Sequence, residues 1–362
     1  MVIKSVSLTN FRNHADTVVN LGEGVNVFVG DNAQGKTNLL ESIYLTCVGR
    51  GWRTHRDKDM INFDKDTARV KTVANKSYGD VEVEIKLSKS EKKSIKINGI
   101  PVQKMGELMG QINCVFFSPD ELRLIKEAPR DRRRFMDIDI SQIDKTYFYA
   151  LLRYNKVLAQ RNALLKSRTE NIEAGLEIWD RELSKYGAKI IYKRITFLNT
   201  LIEEVEKAHT YLTDSREKIE LRYESVFNIN VFTECEIESL LLESLVGARE
   251  KDLRLKTTTV GPHRDDIYVA INGKDVRSFG SQGQQRTVAL SIKLAELEIF
   301  KKATGEMPVL LLDDVLSELD VCRRGRLLHA INKCQCIITT AEKQDYIINN
   351  INIFNIKNGK LV

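Results

Sequence analysis

Val81, Val83, Ile85 and Leu87 alternate with Glu82, Glu84 and Lys86, a period of two that predicts a half-exposed antiparallel strand. Ile95 and Ile97 carry the alternation into Asn98-Gly99, and Ile267, Val269 and Ile271 run the same way into Asn272-Gly273. An Asn-Gly pair accepts two positive φ angles, so both read as hairpins. From Met1 to about Leu87 the chain is strand-rich, interrupted by one helix in which Leu39, Leu40, Ile43, Tyr44 and Val48 recur at helical spacing. The middle changes period. Tyr147, Leu151, Tyr154, Leu158 and Leu165 share one helical face, as do Leu176, Trp179, Leu183 and Ile190, so residues from about 130 to 250 read as largely helical. Near the C-terminus Val309-Leu310-Leu311-Leu312 is a continuous apolar run and Cys336-Ile337-Ile338 a second. Uninterrupted apolar strands belong inside a parallel sheet covered on both faces.

Pro119, Pro129 and Pro262 bracket the helical region, with no proline between the last two. The simplest organisation is an α/β domain in two parts, 1–130 and 251–362, with a helical lobe over 131–250 inserted between them. With 362 residues, 42% of them hydrophobic and 29% charged, the chain can build one large core or two modest ones. A net charge of +6 permits a nucleic-acid partner without demanding one. No apolar stretch approaches the roughly 20 residues that span a bilayer, and Met1-Val2-Ile3-Lys4-Ser5-Val6 lacks a signal-peptide core, so a cytosolic protein with no membrane partner is expected. The six cysteines have neither zinc nor redox spacing and read as reduced thiols.

The chemistry concentrates first at Gly30-Asp31-Asn32-Ala33-Gln34-Gly35-Lys36-Thr37, which fits the P-loop pattern at every required position. The apolar run Val25-Asn26-Val27-Phe28-Val29 precedes it and the predicted helix follows, which is the strand-loop-helix setting a P-loop needs. The glycines let successive N–H groups point inward at a β-phosphate. Lys36 is placed to bridge β- and γ-phosphates, and Thr37 to ligate Mg²⁺. A nucleoside triphosphate is the ligand this implies. Its partner acid is read at the end of the apolar run, where Asp313 is suited to hold Mg²⁺ and Asp314 to polarise an attacking water, slowly because it is the shorter acid.

Lys36 and Asp313 stand 277 positions apart (313 minus 36), far more than one βαβ unit supplies. Compact GTPase and kinase-like readings are disfavoured, and a nucleotide domain split by a lobe is favoured. Between the two motifs, Ser281-Gln282-Gly283-Gln284-Gln285-Arg286 precedes a helix carrying Val288, Leu290, Ile292, Leu294 and Leu297. One P-loop already serves the phosphates, so Ser281 and Gly283 point to a nucleotide shared across an ATP-dependent homodimer. The plainer reading of the same residues is a capped helix after a glycine turn.

Taken together, the P-loop, the Ser281 motif and Leu310-Leu311-Leu312-Asp313-Asp314-Val315-Leu316-Ser317-Glu318-Leu319-Asp320 resemble the ATP-binding-cassette ATPases of the SMC type. Within these the chain is similar to the RecF family of bacterial recombination mediators. Matching elements span the chain, at Asn10-Phe11-Arg12-Asn13, Gly49-Arg50-Gly51-Trp52-Arg53-Thr54, Arg132-Arg133-Arg134-Phe135 and Gly261-Pro262-His263-Arg264-Asp265-Asp266. The resemblance implies an SMC-type ATPase head with a mixed sheet around a P-loop core and a compact, mostly helical lobe without a long coiled coil. It implies a protein that binds ATP and Mg²⁺, dimerises on duplex, gapped or junction DNA, and helps RecO and RecR load RecA. Ser281 and Gly283 would then meet the other subunit's ATP, Ser317 through Asp320 would line the dimer interface, and Arg12 would approach the nucleotide. Two departures argue for a switch rather than a fast motor. Phe116-Phe117-Ser118-Pro119 lacks the Gln of a Q-loop, and Thr339-Thr340 stand where a His often does. DNA contacts are expected from Arg123, Lys126, Arg130, Arg132, Arg133 and Arg134, and from Arg50, Arg53, His55 and Arg56. His263 and Arg264 read either as nucleotide sensors or as turn residues. The competing function is a nuclease or helicase subunit built on the same core; a transporter ATPase subunit fits the charge and insert less well.

Overall fold

Apolar residues one side, charges the other: the N-terminal third builds its sheet as its alternation predicts. In a computed structural model, the structure describes residues 1–54, 56–119, 123–167, 172–226, 233–341 and 351–362. Two compact units emerge, Met1–Leu122 with Ala289–Val362, and Arg123–Val288. The first begins with β1 (Val2–Phe11), β2 (His14–Asn20), β3 (Val25–Val29) and helix α1 (Lys36–Val48), then β4 (Thr67–Lys76), β5 (Gly79–Ser88), β6 (Ser94–Ile97), β7 (Ile100–Val102) and β8 (Cys114–Phe117). Strands β2-β1-β4-β5-β6-β7, in that order, form an antiparallel sheet. Val83, Ile85 and Leu87 are fully buried on its inner face, while Lys71–Glu82 at 2.7 Å and Arg69–Glu84 pair across its outer one. Asn98 and Gly99 take positive φ in the β6–β7 turn, as a two-residue hairpin requires.

The second unit contains α2 (Arg123–Lys126), α3 (Pro129–Ile143), α4 (Lys145–Lys166), α5 (Ile172–Thr213), β9 (Ile219–Glu224), α6 (Glu234–Gly247), α7 (Arg249–Leu255), β10 (Asp266–Ile271), β11 (Lys274–Asp275) and α8 (Val276–Phe279). Helix α5 has 42 residues, a length of about 60 Å at 1.5 Å per residue. It packs along α4 and α6 and buries Leu176, Leu183 and Ile190, and α4 buries Tyr147, Tyr154 and Leu165 against this core. Trp179 is only half-buried; the α5 residue that turns fully inward beside it is Asp180.

This unit is larger than the 131–250 lobe expected from sequence, for two physical reasons. Strand β9 lies inside the stretch expected to be helical, and it pairs antiparallel with β10, Ile219 opposite Ile271, so residues beyond 250 join the helices. Buried charge draws them in as well. Fully buried Arg161 donates to Asp180 at 2.7 Å, Asp252 at 2.6 Å and Thr258 at 2.9 Å, and Arg249 reaches the other Asp180 oxygen at 2.7 Å. Arg194 donates to Asp137 at 2.8 Å, to the Tyr147 hydroxyl at 3.0 Å and to the Pro262 carbonyl at 2.7 Å.

The chain returns through α9 (Gln282–Thr304) to β12 (Val309–Asp313), α10 (Val321–Ala330), β13 (Cys336–Thr340), β14 (Ile351–Lys357) and β15 (Lys360–Leu361). Here the continuous apolar runs lie where their composition places them, inside a sheet of order β15-β14-β3-β13-β12-β8 in which β14, β3, β13, β12 and β8 are parallel. The strand carrying Asp313 is not beside the P-loop strand; β13 lies between them. Buried Gln335 links this sheet to the antiparallel one, donating to the carbonyls of Ile3 at 2.8 Å and Gly22 at 2.7 Å and accepting from the Ile3 N–H at 2.7 Å. Among the described residues no helix is long and apolar enough to cross a membrane.

Removing Arg161 leaves two aspartates buried with one partner fewer each. Arg161→Ala is expected to cost about 3–5 kcal/mol of unfolding free energy, read by urea denaturation followed by circular dichroism. A loss below about 1 kcal/mol, the size of an exposed ion pair, would contradict this account of the second unit.

Candidate functional site

The P-loop is shaped by backbone that only glycine allows. Gly35 sits at φ 112°, and a Cβ on Gly30 would stand 2.4 Å from the Ile356 carbonyl oxygen. Helix α1 begins at once with Lys36, and no side chain caps its N-terminus. Its first N–H groups and the positive end of its dipole thus converge on the loop, the arrangement that receives phosphate. The buried Lys36 side chain folds over the loop and donates to the carbonyls of Gly30 and Asp31, the latter at 2.8 Å. Burial lowers its pKa, and the nearby Asp314, Asp313 and Asp31 oppose that change.

The distal acid meets the loop directly. Thr37 Oγ1 donates to Asp313 Oδ1 at 2.7 Å across 276 positions, and Thr339 Oγ1 donates to the same oxygen at 2.7 Å. Burial raises the Asp313 pKa; these two hydroxyls, then the positive charge of Arg53, pull it back. A threonine hydroxyl beside a carboxylate is an oxygen-donor set of the kind Mg²⁺ takes, completed by water and phosphate, so the residues fit that ion. Thr339 and Thr340 are the last two residues of β13, and Thr339 holds the acid in place. Asp314 has φ 53°, a left-handed conformation that a short acid tolerates. Its N–H donates to the Thr339 carbonyl at 3.2 Å, and the Asp314 carbonyl accepts from Ser317 Oγ at 2.8 Å.

A third component was invisible in the sequence. Fully buried Glu41, on the second turn of α1, accepts from Arg12 Nε at 3.0 Å and from Arg53 Nη2 at 3.0 Å. Arg12 also donates to the Asp59 carbonyl at 2.6 Å, and Arg53 to Asn38. Asn10 and Arg12 both have φ 53°, a strained turn of the kind that gathers at functional sites, braced by Asn62 N–H to the Asn10 carbonyl at 2.9 Å. Arg53, expected on DNA, is thus held beside the P-loop helix and Asp313. Trp52 fixes this segment by stacking on Phe116 with ring centroids 4.0 Å apart.

Other expected residues belong elsewhere. Ser281 and Gly283 are at the start of α9 in the second unit. There Ser281 Oγ accepts from the Gln284 N–H at 3.2 Å while Gln284 Oε1 accepts from the Ser281 N–H at 2.9 Å, a reciprocal capping box that matches the plainer reading. Arg132 is not a DNA-facing cation. Only 4% exposed, it grips Asp266 at 2.6 and 2.8 Å and the carbonyls of Leu124 and Glu127. Arg133 donates to the Asp265 carbonyl at 2.7 Å. Lys126, Arg130, Arg50 and Arg56 are exposed; His55 and the side chain of Arg123 lie outside the described residues. Asp320 caps α10 by accepting from the Arg323 N–H at 2.9 Å. His263 and Arg264 are turn residues. His263 Nε2 lies 3.1 Å from the Thr258 carbonyl and Nδ1 2.7 Å from the Tyr154 hydroxyl, and Arg264 donates to the same carbonyl at 3.0 Å.

The fold and this residue set define an SMC-type ATPase head. A family model described as RecF/RecN/SMC N terminal domain matches residues 2–359. The DNA replication and repair protein RecF of Clostridium botulinum (strain ATCC 19397 / Type A) is 45% identical, over 97% of this chain and 98% of that protein. That of Clostridium beijerinckii is 44% identical, over 100% and 98%. A solved structure of the recombination mediator protein RecF with ATPrS, described in the RecFOR pathway, superposes with a TM-score of 0.93 at 39% identity, covering 99% of this chain and 97% of that one. The Smc head domain with an extended coiled coil from Pyrococcus furiosus, at a TM-score of 0.58 and 18% identity over 100% and 96%, shares the fold alone. The chain belongs to the RecF family.

The buried turn carries a pH signature. Burial pushes the His263 pKa down to about 4 from 6.5, so the stability this neutral ring contributes is complete above pH 6.5 and is lost as pH falls toward 4. The effect is on the order of 3 kcal/mol. Asp265, accepting from Tyr223 at 2.6 Å and pushed up to about 6 by burial, acts in the opposite sense, gaining folded-state protonation over part of the same window. Comparison of wild type with His263→Gln isolates the histidine. The melting temperature of the variant should fall less than that of wild type between pH 6.5 and 4.5, and parallel curves would refute the assignment.

Proposed function

We propose that this chain is an ATP-driven DNA-binding switch of recombinational repair, in which ATP closes a homodimer on duplex, gapped or junction DNA and hydrolysis releases it. The observation that carries the reading is the Thr37–Asp313 contact at 2.7 Å, because it joins a P-loop to a distal acid whose oxygens would hold a phosphate-bound Mg²⁺. Support comes also from relatives described as DNA replication and repair proteins and from structures of RecF with ATP and ATPrS in the RecFOR pathway. By the same likeness RecO and RecR are the partners proposed, with RecA loaded indirectly.

The loop N–H groups and Lys36 would hold the phosphates, and Thr37 with Asp313 the Mg²⁺. When bound, the ion supplies charge neutralisation and fixes the phosphate geometry. Asp314, held by its N–H bonds to Thr339, is the residue proposed to orient water. Arg12 and Arg53, both anchored on Glu41, bring positive charge to the P-loop helix. Ser281 and Gly283 are proposed to complete the site of a second copy, and the exposed Arg50, Arg56, Lys126 and Arg130 are better DNA candidates than buried Arg132. Nucleotide energy is then spent on association, with no chemical change to DNA.

Light scattering tests the shared site. A mass near two chains with ATP and Mg²⁺, returning to one with ADP, is expected; a monomer under both conditions would refute it. A second measurement addresses the ion. Thr339→Val removes a hydroxyl that supports the proposed Mg²⁺ ligand, so the Mg²⁺ concentration giving half-maximal ATP hydrolysis should rise about tenfold. An unchanged Mg²⁺ dependence would remove Thr339 from the site.

A further inference from the structure

The P-loop is held from outside by two segments from opposite ends of the chain. The hairpin β14–β15 turns through Asn358 and Gly359, at φ 49° and 71°, and this turn lies on the loop itself. The Gly359 N–H donates to the Gln34 carbonyl at 2.9 Å, and the Asn358 N–H donates to Gln34 Oε1 at 2.7 Å. From the other side comes the β1–β2 turn. His14, fully buried, places Nε2 3.0 Å from the Gly35 carbonyl oxygen and Nδ1 2.9 Å from that of Gly359. The Gly359 carbonyl also accepts from Thr17 Oγ1 at 2.8 Å, and a Cβ on Gly359 would stand 2.3 Å from the Asn13 carbonyl oxygen. Gln34 and Gly35, the two residues before Lys36, are therefore gripped by the ring and by the turn.

Such bracing has a thermodynamic use. Backbone N–H groups that must be ordered when a ligand arrives lose affinity to that ordering, and a loop already held loses little. Gly35, at φ 112°, is the residue with most freedom to lose, and its carbonyl is the P-loop carbonyl that the imidazole reaches. A neutral imidazole has one N–H and can donate to only one of the two carbonyls it faces, whereas an imidazolium donates to both. Neither segment supplies a group that Lys36, Thr37 or Asp313 requires for its own contacts.

We propose that His14 and the Asn358-Gly359 turn form a clamp that presets the P-loop for nucleotide, with His14 a positioning residue acting through the Gly35 carbonyl. The proposal rests on the nucleotide-binding reading above and assigns a role to the C-terminal hairpin within it. The consequence is specific to affinity: loosening the clamp weakens binding and leaves the turnover of saturated protein near its original value.

Equilibrium binding of a fluorescent ATP analogue to the full chain tests this, because the two ring nitrogens can be replaced separately. A glutamine amide nitrogen takes the position of Nε2 and reaches Gly35; an asparagine amide nitrogen takes that of Nδ1 and reaches Gly359. His14→Gln should bind within about twofold of wild type, while His14→Asn and His14→Phe should bind at least about fivefold more weakly, the equivalent of one hydrogen bond of roughly 1 kcal/mol. Gly359→Ala, strained at its positive φ and driven against Asn13, should also lose at least about fivefold without touching the ring. Melting temperatures without nucleotide establish that the variants compared are folded. Equal affinities for His14→Gln and His14→Asn, or a Gly359→Ala protein that binds like wild type, overturn the clamp. Failure of wild type itself to bind the analogue overturns the nucleotide reading instead.

Discussion

The hydroxyl-to-carboxylate contact between Thr37 and Asp313, 2.7 Å long and 276 positions apart in sequence, requires everything around it to be in register. Thr37 is placed by a helix that starts where the P-loop ends, and Asp313 by the C-terminal end of a buried parallel strand. Between their strands lies β13, with Thr339 paired to Asp313 and Thr340 to Val29, so the acid is fixed by one strand and supported by the hydroxyl of the next. Parallel pairing demands a long connection, and closing a longer loop costs only slowly more entropy. An entire second unit can therefore interrupt the domain without disturbing this contact.

Charge is used differently in the two units. In the second, Arg161, Arg194 and Arg132 are buried on aspartates and carbonyls, and their work is to tie long helices to the segment that returns from them. Buried pairs of this kind gain little over apolar packing but lose much when broken. In the first, Glu41 brings Arg12 and Arg53 to the P-loop helix, and Arg53 adds to the field at Asp313. A run of arginines in sequence carries no label for which of these uses it serves; burial decides.

Elements whose burial follows a regular period are legible in the sequence alone. The alternation of β5 declares one face and the continuous runs of β12 and β13 declare two, and the structure buries them; on α4 Tyr147, Tyr154 and Leu165 turn inward while Leu151 and Leu158 are half-buried, and the Asn-Gly pairs mark their hairpins. β9 was not legible, because Ile219, Leu221 and Tyr223 alternate over too short a stretch inside a helical region and become a strand by pairing with β10. The extent of the second unit depended on that pairing and so escaped with it.

The sequence by itself determined the chemistry carried on local backbone. Gly30 through Thr37 need only their own glycines and the helix that follows, and Asp313-Asp314 only the apolar run before them, so those residues could be named and given an order. What tertiary structure alone decided is which distant groups complete them. Thr339 reaches Asp313 because β13 is the intervening strand, Glu41 collects two arginines because α1 faces both their turns, and His14 meets Gly359 because the first and last hairpins close on one loop. None of these contacts has a sequence period or spacing, since each is set by packing between segments whose separation along the chain carries no information about their separation in space.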